Sequence, residues 1–283
     1  MKKNLIILLS LSTISLSLII SSNNIRRPQE ANPTYGFFPT GLPTPSPTPF
    51  NPFPYEPPEL PRLSSYRLIL VGDSIMGSLG PNAQLLRQHL IEYYPENEFV
   101  NYNYGFGATS IETLPDRLVN ETEYNGERFP SILSQYFELI IIESFAYNPL
   151  SQEKEGEGIV KHILILDESI RKIIKEKPES VVAIMTPIAP SRNLFAKGVY
   201  ELSSEERRKW ADERINYIES VINYAQNNEI PLINVYEKSL SPQGDGDLKY
   251  INPDDYIHPS AEGVDLISLA IAEFIFNNKI FPE

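Results

Sequence analysis

Two short segments near opposite ends of the sequence contain residues that could act together as a nucleophile and a base. Ser74 lies in the segment VGDSIMG, directly after a short apolar run. A serine hydroxyl at that position can be a nucleophile if a base lies nearby. Asp255 and His258 are three residues apart in NPDDYIHPSAEG. This spacing lets the carboxylate accept the Nδ1 proton of the imidazole, so that the other ring nitrogen is free to act as the base.

Each of these segments also has a purely structural interpretation. Asp73 or Ser74 could cap the helix that follows. The run Asn-Pro-Asp-Asp before His258 could simply form a turn. The choice of base is narrow, because the chain has only three histidines and neither His89 nor His162 has an acidic residue at that spacing before it. The chain has no cysteine, which excludes a thiol nucleophile, disulfides and thiolate zinc sites.

Two further segments could supply hydrogen-bond donors to a developing negative charge. The first is NYGFGATS, in which a backbone N–H at Gly105 or Gly107 could donate to an oxyanion. The second is ESFAYNPL, in which Asn148 offers a side-chain amide for the same purpose. The structural alternatives are a tight turn that needs glycine and an Asn-Pro turn.

The order of these four segments resembles the SGNH hydrolase family, also called GDSL esterases. The resemblance extends over about residues 67–276, and the residues that match the family pattern are Ser74, Gly107, Asn148, Asp255 and His258. The sequence departs from the pattern in the third segment, which reads F-A-Y-N-P instead of G-x-N-D. In the second segment Gly105 and Gly107 compete for the same role, and the spacing from Asn103 favours Gly107.

The resemblance implies an α/β/α three-layer sandwich with a parallel, flavodoxin-like five-stranded sheet and a reaction by acyl transfer. In that reaction Ser74 attacks an ester carbonyl, His258 takes its proton, and Asp255 holds the imidazole tautomer. The N–H groups of Ser74 and Gly107 and the amide of Asn148 stabilise the oxyanion. The sequence has no P-loop, no G-x-G-x-x-G after the first predicted strand and no H-E-x-x-H, so we expect no metal and no cofactor.

The chain around these segments alternates strands and helices. Short apolar runs predict five strands, and residues with helical periodicity separate them. Such alternation predicts a parallel sheet covered on both faces, with the site at the carboxyl ends of the strands. The predicted strands are Tyr66–Val71, Phe99–Tyr104, Leu139–Glu143, Val181–Met185 and Pro231–Tyr236, and the predicted helices are Asn82–Tyr94, Ile111–Leu118, Gly158–Lys175, Ser203–Gln226 and Ala261–Asn277.

The N-terminal part of the chain reads differently from the rest. Residues 1–27 have a basic start and an apolar run, which predicts a signal-anchor that inserts into a membrane as a helix, or alternatively a cleaved signal peptide. Residues 28–61 are rich in proline and predict a semi-rigid linker, so that residues 62–283 form the SGNH hydrolase domain. The net charge of -13 makes nucleic acid an unfavourable partner.

These observations lead to one leading hypothesis and two alternatives. We expect an extracytoplasmic serine esterase, anchored in the membrane at the cell envelope or else secreted, that hydrolyses carboxylic esters such as O-acetyl groups on envelope polysaccharide. An acyltransferase that uses the same triad is the first alternative. A catalytically inactive binding domain of the same fold is the second.

Overall fold

The structure, a computed structural model, describes residues 53–154 and 156–282. The predicted signal-anchor or signal peptide of residues 1–27 and residues 28–52 of the predicted linker lie outside this part. Within the described ranges no helix is long and apolar enough to cross a membrane. The strands are β1 (Ser65–Gly72), β2 (Glu98–Gly105), β3 (Thr122–Tyr124), β4 (Glu127–Phe129), β5 (Leu139–Glu143), β6 (Val181–Met185) and β7 (Leu232–Ile233).

Seven α-helices connect or flank these strands in the described residues. They are α1 (Ser74–Gly77), α2 (Gln84–Tyr93), α3 (Leu114–Val119), α4 (Glu157–Glu176), α5 (Ser204–Asn227), α6 (Val235–Lys238) and α7 (Ala261–Asn277). Short 3₁₀ helices occupy Ile111–Thr113, Ile132–Ser134 and Leu248–Tyr250.

The central sheet has five parallel strands in the order β2-β1-β5-β6-β7. Successive side chains of a strand point to opposite faces, and β1 divides its apolar residues accordingly. Leu68 and Leu70 belong to one hydrophobic cluster, and Ile69 and Val71 belong to the other. The sheet is therefore buried on both faces, and the predicted three-layer, flavodoxin-like architecture is confirmed.

Different helices cover the two faces of the sheet. Helices α2 and α7 pack against each other and bury Leu86, Leu90 and Ile271 in the first cluster. Helices α3 and α4 bury Leu118 and Leu166 in the second cluster. The loops that contain the predicted site residues lie at the carboxyl ends of the strands, which these helices do not cover.

The predicted strand Pro231–Tyr236 is shorter in the structure than in the sequence-based interpretation. Strand β7 ends at Ile233, because the side chain of Asn234 accepts a hydrogen bond from the N–H of Glu237 and begins helix α6. By contrast, Ser203 and Glu206 form the capping box that their spacing predicts at the start of α5.

The last residues of the predicted linker contact the domain. Tyr55 is buried, its N–H donates to the carbonyl of Asn228 at 2.9 Å, and its hydroxyl accepts the N–H of Val182 at 2.9 Å. Strand β7 pairs only with Ile184 and Met185, so the tyrosine hydroxyl satisfies a backbone donor of β6 that β7 does not reach.

A two-stranded antiparallel hairpin, β3–β4, lies outside the central sheet. Asn125 and Gly126 form its turn with positive φ angles of 52° and 80°. Two successive residues with positive φ match a type I′ turn, for which Asn-Gly is a preferred pair. Our sequence-based interpretation did not include this hairpin.

Candidate active site

The segment that carries Ser74 joins β1 to α1 at the carboxyl end of β1, the strand between β2 and β5 in the sheet. Asp73 caps α1, since its Oδ1 accepts the N–H of Ile75 at 2.8 Å, and Ser74 is the first residue of the helix. Gly72 permits a close approach here, because a Cβ at this position would lie 2.7 Å from the Cβ of Glu143. The capping interpretation and the nucleophile interpretation are therefore compatible, since Asp73 caps the helix and leaves the Ser74 hydroxyl unused.

The structure joins Asp255 and His258 as their spacing predicts. His258 Nδ1 lies 2.8 Å from Asp255 Oδ2, and Asp255 Oδ1 accepts the N–H groups of Ile257 and His258 at 2.8 and 3.0 Å. An ionised carboxylate can only accept, so Nδ1 carries the proton and Nε2 is the basic nitrogen. The side chain of His258 is 37% exposed, which leaves it accessible to a substrate.

The environment of Asp255 favours its ionised form. Burial alone would raise the pKa of this carboxyl, but the hydrogen bonds from the His258 ring and from the N–H groups of Ile257 and His258 outweigh burial, so the pKa is lowered. An ionised Asp255 is the form that accepts the Nδ1 proton and stabilises a protonated His258 ring.

The segments of Ser74 and His258 meet at the same edge of the sheet. Burial raises the pKa of Asp73, the residue before Ser74, and the charge of the nearby His258 acts in the opposite direction. Among the described residues no hydrogen bond joins Ser74 Oγ to His258, and in substrate-free enzymes such contacts are often long. The catalytic roles of Ser74, Asp255 and His258 stay predictions.

The two candidate glycines occupy different environments. A Cβ on Gly105 would overlap the backbone of Gly77, so this glycine is needed for packing against α1. A Cβ on Gly107 would lie 3.6 Å from the Cβ of Ser74. Gly107 is thus the glycine beside the candidate nucleophile, although its N–H already donates to the hydroxyl of Tyr124 at 2.8 Å.

Asn148 links the third segment to the first. Its side-chain amide donates to Asp73 Oδ2 at 2.8 Å, and its backbone N–H donates to the carbonyl of Phe145, as in a turn. An amide nitrogen has two protons, so one stays available for an oxyanion. The N–H of Ser74 has no partner among the described residues, which leaves it available as well. The oxyanion roles of Gly107 and Asn148 stay predictions.

A buried carboxyl that the sequence analysis did not single out lies beneath the Ser74 segment. Glu143 ends β5 and is fully buried; its Oε2 accepts the N–H of Phe145 at 3.0 Å, and its Oε1 accepts the hydroxyl of Ser144 at 2.9 Å. Burial raises the pKa of Glu143 well above its ordinary value, and the neighbouring Asp73 raises it further. The signal in the sequence is the single acidic residue that ends the apolar run LIIIE.

A buried arginine holds several backbone segments of the site together. Arg117 donates from Nη1 to the carbonyls of Gly72 and Tyr104 at 2.8 and 2.9 Å. Burial lowers its pKa to about 10, while the nearby Asp73 acts in the opposite direction. The guanidinium therefore stays charged at neutral pH and balances the buried carboxyl of Asp73.

The remaining histidines have structural partners. His162 is buried and donates from Nε2 to the carbonyl of Ser144 at 2.8 Å, and burial lowers its pKa to about 4. His89 Nε2 lies 2.8 Å from Asp265 Oδ1, across the contact between α2 and α7. This second histidine–aspartate pair is 176 residues apart in sequence, so no local spacing could reveal it.

The raised pKa of Glu143 predicts how stability depends on pH. The folded state holds a proton that the unfolded state releases, so the free energy of unfolding falls as pH rises above the ordinary value of 4.5 and up to the folded-state pKa. Glu143→Gln removes this pH-dependent loss of stability, because glutamine does not titrate, and it keeps an oxygen that can accept the N–H of Phe145. We expect the variant to gain stability over the wild type by up to about 1.4 kcal/mol per pH unit in that window.

Urea unfolding from pH 4.5 upward measures this difference. Glu123→Gln is the matched control, since Glu123 is an exposed residue of the hairpin. A Glu143→Gln variant whose difference from the wild type stays constant over the whole range would show that Glu143 is ionised in both states.

Comparison with known proteins supports the fold. No family model matches the sequence, and no curated protein matches it. Solved structures do match: a lipase/acylhydrolase from Enterococcus faecalis has a TM-score of 0.54 and 17% identity over 75% of this chain and 96% of its own. An acetyl xylan esterase has a TM-score of 0.52 and 16% identity over 72% and 97% of the two chains. A GDSL-like lipase from Bacteroides thetaiotaomicron has a TM-score of 0.50 and 12% identity over 75% and 89%.

The described domain has the SGNH hydrolase fold. The resemblance on which the sequence analysis relied is therefore confirmed at the level of architecture. In a domain with this fold, the segments of Ser74 and His258 lie at the carboxyl end of the sheet, where ligands bind in open α/β sheets.

Proposed function

We propose that this SGNH domain is a carboxylic ester hydrolase that uses Ser74, His258 and Asp255. The observation that carries the proposal is the 2.8 Å contact between His258 Nδ1 and Asp255 Oδ2, which leaves Nε2 as the basic nitrogen of the imidazole. A serine at the carboxyl end of a parallel strand, an oriented imidazole and an ionised carboxylate are the components of acyl transfer.

In the proposed reaction Ser74 Oγ forms a bond to the ester carbonyl carbon, and the carbonyl electron pair moves to oxygen. The Ser74 proton passes to His258 Nε2, which returns it to the leaving alcohol as the acyl-enzyme forms. Water then attacks the acyl-enzyme by the same route and releases the acid. Asp255 stabilises the imidazolium that exists during each transfer.

We propose short acyl groups as the substrate class, with O-acetyl groups on envelope polysaccharide as the first candidate. Tyr124 Oη and Ser74 Cβ both lie within 3.6 Å of the point that a Cβ of Gly107 would occupy, so space on this side of the nucleophile is limited. One of the structural neighbours is an acetyl xylan esterase, which is consistent with this choice.

The proposed location is the cell envelope outside the cytoplasm. This location rests on the sequence of residues 1–61, in which an apolar segment is followed by a proline-rich linker. Membrane anchoring through that segment is part of the same proposal, with secretion as the alternative. A domain held on such a linker would reach polymers near the membrane.

The direct test is hydrolysis of p-nitrophenyl acetate, butyrate and octanoate by the full chain. We expect turnover to fall from acetate to octanoate, and we expect the chain to release acetate from O-acetylated xylan. Transfer of the acetyl group to an added oligosaccharide in preference to water would identify an acyltransferase. The absence of turnover with every ester would contradict the proposal and favour a binding domain.

A further inference from the structure

The hydroxyl of Tyr124 lies beside the candidate nucleophile. It accepts the N–H of Gly107 at 2.8 Å, so this predicted oxyanion donor already has a partner. A Cβ on Gly107 would lie 3.0 Å from Tyr124 Oη and 3.6 Å from Ser74 Cβ, which places the hydroxyl and the nucleophile around one small space. Tyr124 belongs to the hairpin β3–β4, which none of the four matched sequence segments includes.

The hydroxyl of Tyr124 can still donate a hydrogen bond. In the described part of the chain no acceptor receives its proton, and the only hydrogen bond of this hydroxyl is the one that it accepts. A phenol can accept one hydrogen bond and donate another, and accepting from an N–H polarises the O–H as a donor. A hydroxyl that can still donate therefore lies beside the space next to Ser74.

Aromatic packing holds the Tyr124 ring in place. The ring stacks on Phe106 with the two centroids 4.5 Å apart and the planes 17° apart. Phe129, on the other strand of the hairpin, packs edge-on against the same Phe106 ring at 4.8 Å. The guanidinium of Arg117 lies 4.4 Å from the centroid of that ring. The hydroxyl is thus positioned by a packed cluster, as a preorganised donor needs to be.

We propose that the Tyr124 hydroxyl is an oxyanion donor of this site. The Gly107 N–H contributes indirectly, by donating to the Tyr124 oxygen and so making the O–H a stronger donor. The inference rests on the proposed esterase function and goes beyond it by adding a catalytic residue. When Ser74 Oγ bonds to the carbonyl carbon and its proton passes to His258, negative charge develops on the carbonyl oxygen. Tyr124 donates a hydrogen bond to that oxygen and keeps its proton, beside the Ser74 N–H and the second proton of the Asn148 amide.

Tyr124→Phe tests the proposal in the full chain, because phenylalanine keeps the stacking on Phe106 and removes only the hydroxyl. We expect kcat for p-nitrophenyl acetate to fall about 10²–10³-fold while KM changes less than about threefold, since the lost contact forms in the transition state. Tyr102→Phe is the matched control: Tyr102 is 40% exposed on the edge strand β2, and we expect wild-type kcat.

Three results would overturn the proposal. A kcat equal to that of Tyr102→Phe would make Tyr124 a packing residue. A higher kcat would mean that the hydroxyl blocks the Gly107 N–H, and a raised KM with unchanged kcat would mean that it only binds substrate. The urea unfolding midpoint shows whether Tyr124→Phe is folded. If it is unstable, Tyr124→His replaces it as the test, because the histidine ring offers an N–H in place of the O–H. We expect Tyr124→His to keep part of the wild-type kcat.

The failure of this proposal and the failure of the esterase function give different results. If the wild-type chain hydrolyses esters and Tyr124→Phe matches it, the esterase function stands and the role of Tyr124 is rejected. If the wild-type chain hydrolyses no ester and does not react with a fluorophosphonate, both proposals are rejected together.

Discussion

Ser74→Ala is expected to lower kcat for p-nitrophenyl acetate by about 10⁶-fold, and His258→Ala is expected to cause a loss of similar size. The reason is that the serine oxygen is the atom that bonds to the carbonyl carbon, and it becomes a nucleophile only when the imidazole removes its proton. The two residues act as one unit, so the double variant is expected to be no slower than either single variant.

His89→Ala is the matched control for the histidine variant. His89 also contacts an aspartate at 2.8 Å, but its partner is Asp265 on α7, and the pair links two helices. We expect wild-type kcat in this control. The urea unfolding midpoints show whether the two variants are equally stable. If they are, an equal loss of kcat in His89→Ala and His258→Ala would contradict the assignment of His258 as the base.

The second large effect concerns the orientation of the imidazole. Asp255→Asn is expected to lower kcat about 10³–10⁴-fold while the protein stays folded. The side-chain oxygen of asparagine can still accept the N–H groups of Ile257 and His258, which Asp255 Oδ1 accepts now. Its amide, however, donates to His258 Nδ1, so the ring proton moves to Nε2 and the base can no longer take the Ser74 proton.

Asp254→Asn provides the control for this change. Asp254 is exposed and immediately precedes Asp255, so Asp254→Asn removes one negative charge from the same loop, as Asp255→Asn does. We expect the control to keep wild-type kcat and KM. Steady-state kinetics of both variants decide the point, and an Asp255→Asn enzyme as active as the control would show that His258 needs no carboxylate partner.

The fold could be predicted largely from the sequence because its signals are local. The run Val181–Met185 is apolar throughout, the run Leu139–Glu143 is apolar up to its last residue, and both are strands with those boundaries in the structure. The helix Ala261–Asn277 also begins and ends as its periodicity predicts. Such elements can be predicted without knowledge of their neighbours, because a parallel strand that is covered on both faces consists almost entirely of apolar residues.

The details of the site were less predictable because they depend on contacts between distant segments. Asn148 donates to Asp73, which is 75 residues away, and the Gly107 N–H reaches a tyrosine on a separate hairpin. The Asn125–Gly126 pair was a usable turn signal for that hairpin, but the strands beside it have only three residues each. Nothing local indicates that Tyr124 points toward Ser74.

The burial of Glu143 shows a different limit of sequence-based reasoning. The run LIIIE indicates a strand, but whether its final carboxyl is buried depends on the backbone N–H donors that other loops bring to it. In the structure those donors come from Asp73 and Phe145. Buried carboxyls keep such hydrogen bonds because an unpaired polar group would cost stability.

The most direct test of the central claim is the reaction of the full chain with a fluorophosphonate, followed by mass spectrometry of the labelled peptides. We expect a single adduct on the peptide that contains Ser74, and we expect no adduct in His258→Ala, because the serine is nucleophilic only beside its base. An adduct on another serine, or no adduct on the folded wild-type chain, would contradict the assignment of Ser74 as the nucleophile.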